Sequence, residues 1–178
     1  MASPAVPIHR FTVDDVLAMS ASGILGEYDR VELVDGLLID LSPQDPLHED
    51  AKEWLDRFFH RDANLATRVE CMFLTSDGYL VPDLQVAREF KRGEHPRTAP
   101  LVIEVANTSL ARDHEKAADY ARAGVAEYWI VDVVAKTVIV HCHPSGDAYA
   151  TVTKHDDGEF QPPLGAPPLA LDALFASA

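Results

Sequence analysis

The stretch "LVIEVANTSLARDHEKAADYARAGVAEYWIVD", residues 101–132, decides the fold. It begins with an apolar run of strand length and continues through a polar segment with helical spacing. It ends in a second apolar run rich in β-branched and aromatic residues. Gly124 stands where a helix commonly ends, because glycine readily adopts the left-handed conformation that closes the last turn. The stretch therefore predicts a strand–helix–strand unit.

The flanking sequence supplies further strands and helices. Residues 30–42 place two apolar runs around Asp35-Gly36, a pair that suits a tight hairpin turn. Thr12 suits the N-cap of a first helix. The remaining segments predict a helix with one apolar face over 45–60, a two-stranded hairpin over 66–88, and strands over 136–143 and 147–155. We predict an α/β (α+β) fold, a central mixed β-sheet flanked by helices, with an N-terminal helix and β-hairpin.

Composition limits the class of protein. The 178 residues suit a single domain spanning 1–178. A net charge of −14 argues against a general polyanion binder, because Lys and Arg carry phosphate affinity. The chain has no apolar run of the roughly 20 residues that a membrane helix needs, and residues 1–10 lack a signal-peptide pattern. Cys71 and Cys142 form no CxxC pair, so we expect a cytoplasmic protein with reduced thiols.

Three charged residues interrupt apolar or strand-like settings. Glu104 lies within "LVIEV", where a carboxylate is costly to bury unless a cation, a metal or hydrogen bonds compensate it. Asp83 lies within the strand-like "YLVPDLQV". Lys116 shares a face of the following helix with Asp113 and Tyr120, at spacings of three and four. Two carboxylates on neighbouring strands could hold Mg²⁺, which prefers oxygen ligands and keeps several waters.

The same residues have a structural interpretation. Glu104 and Lys116 could form a buried ion pair between strand and helix, with Asp83 capping a turn. Residue chemistry favours this interpretation about as strongly as a metal site.

Several motifs together resemble one protein family. They are "VELVDG", "SPQDPLH", "VPDLQV", "LVIEVANTS", "DHEKAADYARAGVAEYWIVD" and "PPLALDALF". The chain resembles the Uma-two family of bacterial restriction-endonuclease-like proteins, within the PD-(D/E)XK nuclease superfamily, from about residue 11 to 175. The block over 116–132 is the most specific part of the likeness.

The resemblance implies a Mg²⁺- or Mn²⁺-dependent endonuclease, a hydrolase with its metal site at one end of the strands. Asp83 matches the acidic residue of the Pro-Asp motif, and Glu104 matches that of the (D/E)XK motif. The main-chain carbonyl of Val105 is the expected third metal ligand, and Glu32 would support the site. Ala106 occupies the superfamily's lysine position, so Lys116 resembles a migrated replacement.

Other residues receive supporting roles in this prediction. Asp113 and Tyr120 are expected to border the site, although Tyr120 also suits a core or dimer-interface position. His48 matches a family position, and we expect it to act as a polar residue at a helix start. Four basic residues are candidates for phosphate contacts, although a solvated loop explains them equally well: Arg88, Lys91, Arg92 and Arg97.

We predict DNA as the partner, a homodimer as the assembly and no membrane association. A nuclease-fold protein without activity, serving as an interaction or dimerisation module, is the alternative. The net charge of −14 and the lack of a visible recognition domain favour that alternative.

Overall fold

The computed structural model describes residues 8–26 and 28–176. The predicted lack of a signal peptide concerns residues 1–10, of which 1–7 lie outside these ranges. The helices are α1 (Val13–Ser22), α2 (Pro46–Phe59), α3 (Leu110–Arg122) and α4 (Leu171–Phe175), with a short 3-10 turn at Pro163–Gly165. No described helix is long and apolar enough to span a membrane.

Twelve strands occur in the described part of the chain. They are β1 (Val31–Val34), β2 (Leu37–Asp40), β3 (Ala66–Val69), β4 (Phe73–Leu74), β5 (Tyr79–Leu80), β6 (Leu84–Ala87), β7 (Leu101–Ala106), β8 (Glu127–Asp132), β9 (Thr137–Ser145), β10 (Ala148–His155), β11 (Glu159–Phe160) and β12 (Leu169–Ala170). A six-stranded sheet has the order β10-β9-β8-β7-β6-β3. Only β7 and β8 are parallel in this sheet, and α3 connects them. The predicted central mixed sheet is therefore confirmed.

Strand β7 is buried along its whole length because helices cover both faces of the sheet. Ile103 and Val105 belong to the core that also contains residues of α2 and α4. Val102 and Ala106 belong to the core beneath α3. Side chains alternate between faces along a strand, so Glu104 faces α3. The fold thus places this carboxylate under the helix that carries Lys116.

The N-terminal helix and hairpin are also present. Thr12 caps α1, and its hydroxyl accepts a hydrogen bond from the backbone N–H of Asp15. Asp35 and Gly36 both have positive φ, as the tight turn between β1 and β2 requires. This hairpin belongs to a second sheet, of order β2-β1-β5-β4. Glu32, on β1, therefore reaches the site from a different sheet.

The prediction for residues 66–88 was too simple. Four short strands replace the expected pair: β3 pairs with β6 in the large sheet, whereas β4 and β5 form a hairpin in the small sheet. The chain leaves the large sheet at Glu70, which has a positive φ, and returns after Pro82. Proline has no N–H to donate to a strand ladder, so β6 begins beyond Asp83 rather than including it.

The turn at Gly78 provides a test of how the two hairpins of the small sheet pack. A Cβ at Gly78 would lie 1.9 Å from the carbonyl oxygen of Leu33 on β1. We expect Gly78→Ala to lower the free energy of unfolding by about 1 to 3 kcal/mol, because backbone atoms must shift. Gly26→Ala is the control, since its new Cβ meets its nearest atom at 3.6 Å. Equal urea midpoints for the two variants would contradict this packing.

Candidate active site

Asp83 lies just before β6, beside the strand that carries Glu104. Its Oδ2 accepts hydrogen bonds from the backbone N–H of Val105 at 2.7 Å and from Nε2 of His48 at 3.0 Å. Its Oδ1 accepts a hydrogen bond from Nε2 of Gln44 at 2.9 Å. Three donors from three parts of the chain therefore hold this carboxylate, which is only 6% exposed.

The two carboxylate oxygens of Glu104 lie in different environments. Its Oε1 accepts hydrogen bonds from Nζ of Lys116 at 2.9 Å and from the hydroxyl of Tyr120 at 2.8 Å. Oε2 accepts no hydrogen bond from any described residue. It is not among the fully buried atoms that lack a partner, so it remains accessible. Glu104 lines the cleft described below, so Oε2 is the oxygen left for a ligand.

Lys116 joins the large sheet to the small one. Its Nζ lies 2.9 Å from Oε1 of Glu104 and 2.9 Å from Oε1 of Glu32, and 3.9 Å from Oδ1 of Asp113. Glu32 is fully buried, and it also contacts Arg112 at 2.5 Å and the backbone N–H of Val81 at 3.0 Å. Lys116 thus contacts Glu104, as both the metal-site and the structural interpretation require. In the structural interpretation, the same contact is a buried ion pair that only stabilises the fold.

The protonation of this cluster follows from burial and from neighbouring charge. Burial raises the pKa of Glu104 to about 8, the charge of Lys116 opposes that rise, and the charges of Asp83, Asp113 and Glu32 add to it. Burial likewise raises the pKa of Asp113. Burial alone would lower the pKa of Lys116, but Glu104, Glu32 and Asp113 outweigh it and hold that pKa above its usual value. Lys116 is therefore a cation and not a base at neutral pH.

One cleft, of about 370 Å³, brings the predicted residues together. Asp83, Glu104, Val105, Asp113 and Lys116 all line it. Glu32 and Tyr120 lie behind its wall, where they contact Lys116 and Glu104 respectively. Other lining residues come from the segment before α2 and from the start of α3: Gln44, Asp45, His48, Asn107, Thr108, Ser109 and Arg112.

The donor set of the cleft fits a hard cation such as Mg²⁺. In the described part of the chain, no three His, Cys, Asp or Glu side chains form a complete metal cluster. Mg²⁺ does not require one, because it binds through one or two carboxylates and keeps several waters. The cleft offers an oxygen without a hydrogen bond, Oε2 of Glu104. It also offers a second carboxylate, Asp83, which lies close enough for its charge to raise the pKa of Glu104. Mg²⁺ sites in proteins are built from one or two such groups.

The basic loop lies elsewhere. Arg88, Lys91 and Arg97 line a separate cavity of about 530 Å³, and none of the four predicted phosphate-contact residues lines the cleft. Arg88 donates to the carbonyl of Leu164, and Lys91 pairs with Glu94. This loop follows β6, whereas Asp83 precedes it, so the loop lies at the opposite end of that strand.

Sequence reasoning missed two residues of the site. His48 was expected to be a polar residue at a helix start, and Gln44 received no role, yet both bond to Asp83. Asp45, between them, caps α2 by accepting from the backbone N–H groups of Leu47 and His48. The polar run before an amphipathic helix was the available signal, but it suggests a cap equally well.

The chain is similar to known proteins in sequence and in fold. Residues 13–173 match the Uma2 family, described as "Putative restriction endonuclease", so the chain belongs to that family. A solved structure described as a "putative nuclease belonging to DUF820", from Anabaena variabilis ATCC 29413, is similar at a TM-score of 0.76. The identity is 19%, covering 96% of this chain and 98% of that chain. No curated protein matches. Family and fold point to a restriction-endonuclease-like nuclease.

The raised pKa of Glu104 predicts a pH dependence of stability. The folded protein binds this proton up to about pH 8, whereas the unfolded chain releases it near the ordinary glutamate pKa of 4.5. The stability that this proton contributes is therefore fully present below the pKa of Glu104 in the unfolded chain. It is lost as pH rises through the pKa of Glu104 in the folded protein. We expect the metal-free protein to lose free energy of unfolding between about pH 5 and about pH 9. Glu104→Gln should flatten that slope in urea titrations, and equal slopes for the two proteins would contradict the assignment.

Proposed function

We propose that this protein is a metal-dependent phosphodiesterase that cleaves DNA. The observation that carries the proposal is the cleft lined by Asp83, Glu104 and Lys116, in which Oε2 of Glu104 has no hydrogen-bond partner among the described residues. Mg²⁺ or Mn²⁺, when bound there, would stabilise charge on the phosphodiester and lower the pKa of an attacking water. Asp83, Glu104 and the main-chain carbonyl of Val105 would hold it.

Lys116 has one N–H available for the reaction. An ammonium has three donors, and the contacts to Glu104 and Glu32 use two of them. Because Lys116 stays charged, its role is to orient water or to stabilise developing negative charge on a phosphate oxygen. Tyr120 supports that role by sharing Oε1 of Glu104 with Lys116, which fixes the carboxylate.

The test is a cleavage panel over single-stranded, duplex and branched DNA with Mg²⁺ and with Mn²⁺. We expect Asp83→Asn and Glu104→Gln to abolish cleavage, because each replaces a carboxyl ligand with an amide that cannot become an anion. Lys116→Met should lower kcat about 10²- to 10³-fold, as the loss of an electrostatic donor typically does. Lys154→Met, an exposed lysine on β10, is the matched control.

Folding must be checked in the same experiment. Lys116→Met leaves Glu104 without its cation, but that carboxyl can take up a proton at neutral pH because its pKa is about 8. We therefore expect the variant to remain folded by circular dichroism. Full cleavage by folded Lys116→Met would contradict the role given to Lys116, and no cleavage by the wild-type protein would contradict the proposed function.

The basic loop gives an independent prediction about DNA binding. Arg92 and Arg97 have no hydrogen-bond or ion-pair partner in the described part of the chain. If they contact phosphates, Arg92→Gln with Arg97→Gln should reduce the slope of log affinity against log salt by about two, at roughly 0.9 for each contact. Lys136→Gln with Lys154→Gln is the control, and equal slopes for both pairs would exclude the loop.

One observation favours the alternative of an interaction module without activity. Lys116 is only 7% exposed and lies among three carboxylates, as a structural ion cluster would have it. Under this alternative the protein binds no Mn²⁺ and leaves DNA intact, and light scattering shows a stable homodimer whose mass is unaffected by Asp83→Asn. Metal-dependent cleavage would exclude it.

A further inference from the structure

We infer that Gln44 and His48 are positioning residues. Their hydrogen bonds orient the carboxylate of Asp83 so that a single oxygen, Oδ1, can bind a divalent cation. The inference rests on the proposed function, since it concerns the same cleft. We call Gln44, Asp45 and His48 the α2 clasp, because they lie at the start of α2 and attach it to Asp83 and to the end of β7. Family membership and fold assign no role to these three residues.

The hydrogen bonds to Asp83 determine which of its oxygens can bind a cation. A carboxylate has about four acceptor sites, two on each oxygen. On Oδ2 both are used, by Nε2 of His48 and by the backbone N–H of Val105. On Oδ1 one is used, by Nε2 of Gln44. A single acceptor site therefore remains, on Oδ1, so Asp83 binds as a monodentate ligand.

The amide of Gln44 is itself held in one orientation. Its Oε1 accepts a hydrogen bond from Nζ of Lys52 at 2.6 Å, which turns its Nε2 toward Asp83. Lys52 is nearly buried and also contacts Glu70 at 2.7 Å and Glu49 at 2.9 Å. Rotation of the amide would place a donor against this ammonium. The chain Lys52–Gln44–Asp83 thus fixes the direction of the free acceptor site.

The rest of the clasp attaches α2 to the end of β7. The side chain of Asn107, just past β7, donates a hydrogen bond to Oδ2 of Asp45. Since Asp45 also caps α2, the helix start and the strand end are tied together. The ring of His48 contacts Oδ2 of Asp83 through Nε2, so Nδ1 is its second polar atom. That Nδ1 is buried and has no hydrogen-bond partner in the described part of the chain.

An unpaired buried nitrogen has a cost in stability, so His48 is poorly explained as a purely structural residue. A buried polar atom without a hydrogen-bond partner destabilises the folded state, because it has lost its contact with water. A residue selected only for packing at this place would avoid that cost. An apolar residue could not donate a hydrogen bond to Asp83, whereas Nε2 of His48 does so, which is what a positioning residue requires.

The test measures metal affinity and not only activity. Mn²⁺ binding to the full chain is followed by calorimetry for wild type, His48→Leu, His48→Gln and Gln44→Ala. Loss of the groups that orient a ligand typically weakens metal binding about 10- to 100-fold, and we expect this for His48→Leu and Gln44→Ala. His48→Gln places an amide N–H near the position of Nε2, so it should restore affinity to within about threefold of wild type.

The control and the stability measurement separate positioning from folding. His143→Gln changes an exposed histidine outside the cleft and should bind Mn²⁺ as wild type does. Thermal unfolding of each metal-free variant shows whether it is folded. If His48→Leu does not fold, Gln44→Ala, at a half-buried position, decides the question.

The outcomes distinguish this inference from the proposed function. Weak binding by folded His48→Leu or Gln44→Ala, with recovery in His48→Gln, supports the inference. Wild-type affinity in folded His48→Leu and in Gln44→Ala overturns the inference and leaves the proposed function intact. If wild type itself binds no Mn²⁺, the proposed function fails, and the inference fails with it.

Discussion

The contact of Lys116 with both Glu104 and Glu32 is the interaction on which the site depends. One ammonium, 2.9 Å from each carboxylate, ties the large sheet to the small sheet through α3. Removing one partner from a buried ion cluster costs more than an exposed pair would, because an uncompensated charge remains. Here Glu104 can relieve that cost by keeping a proton, since burial raises its pKa to about 8. The cluster can therefore hold the fold together and still offer a carboxylate to a cation.

The two candidate metal-binding carboxylates are prepared by opposite means. Asp83 accepts three hydrogen bonds, which fix its orientation. Glu104 has two donors on one oxygen and is buried, so desolvation favours its neutral form. A cation arriving at the cleft would find one carboxylate already oriented and would displace a proton from the other. The α2 clasp orients Asp83, whereas burial raises the pKa of Glu104 against the opposing charge of Lys116.

Several elements could be read from local pattern because each depends on neighbouring residues alone. The hairpin turn at Asp35-Gly36, the capping residue Thr12 and the helix end at Gly124 are of this kind. The strands of residues 66–88 could not be predicted in this way, because they pair with partners in two different sheets. Turn residues signal that a hairpin forms, but they do not say to which sheet it belongs.

The sequence by itself determined the strand–helix–strand unit and the candidates Asp83, Glu104 and Lys116, because apolar periodicity and an interrupting charge are both local signals. Only the tertiary structure decided how these residues are used. Gln44 and His48 bond to Asp83 across 39 and 35 positions of chain, and Glu32 reaches Lys116 from another sheet. The basic loop, whose residues are candidates for phosphate contacts, lies away from the cleft. Contacts between distant segments follow from packing of whole elements, which no short stretch of sequence encodes.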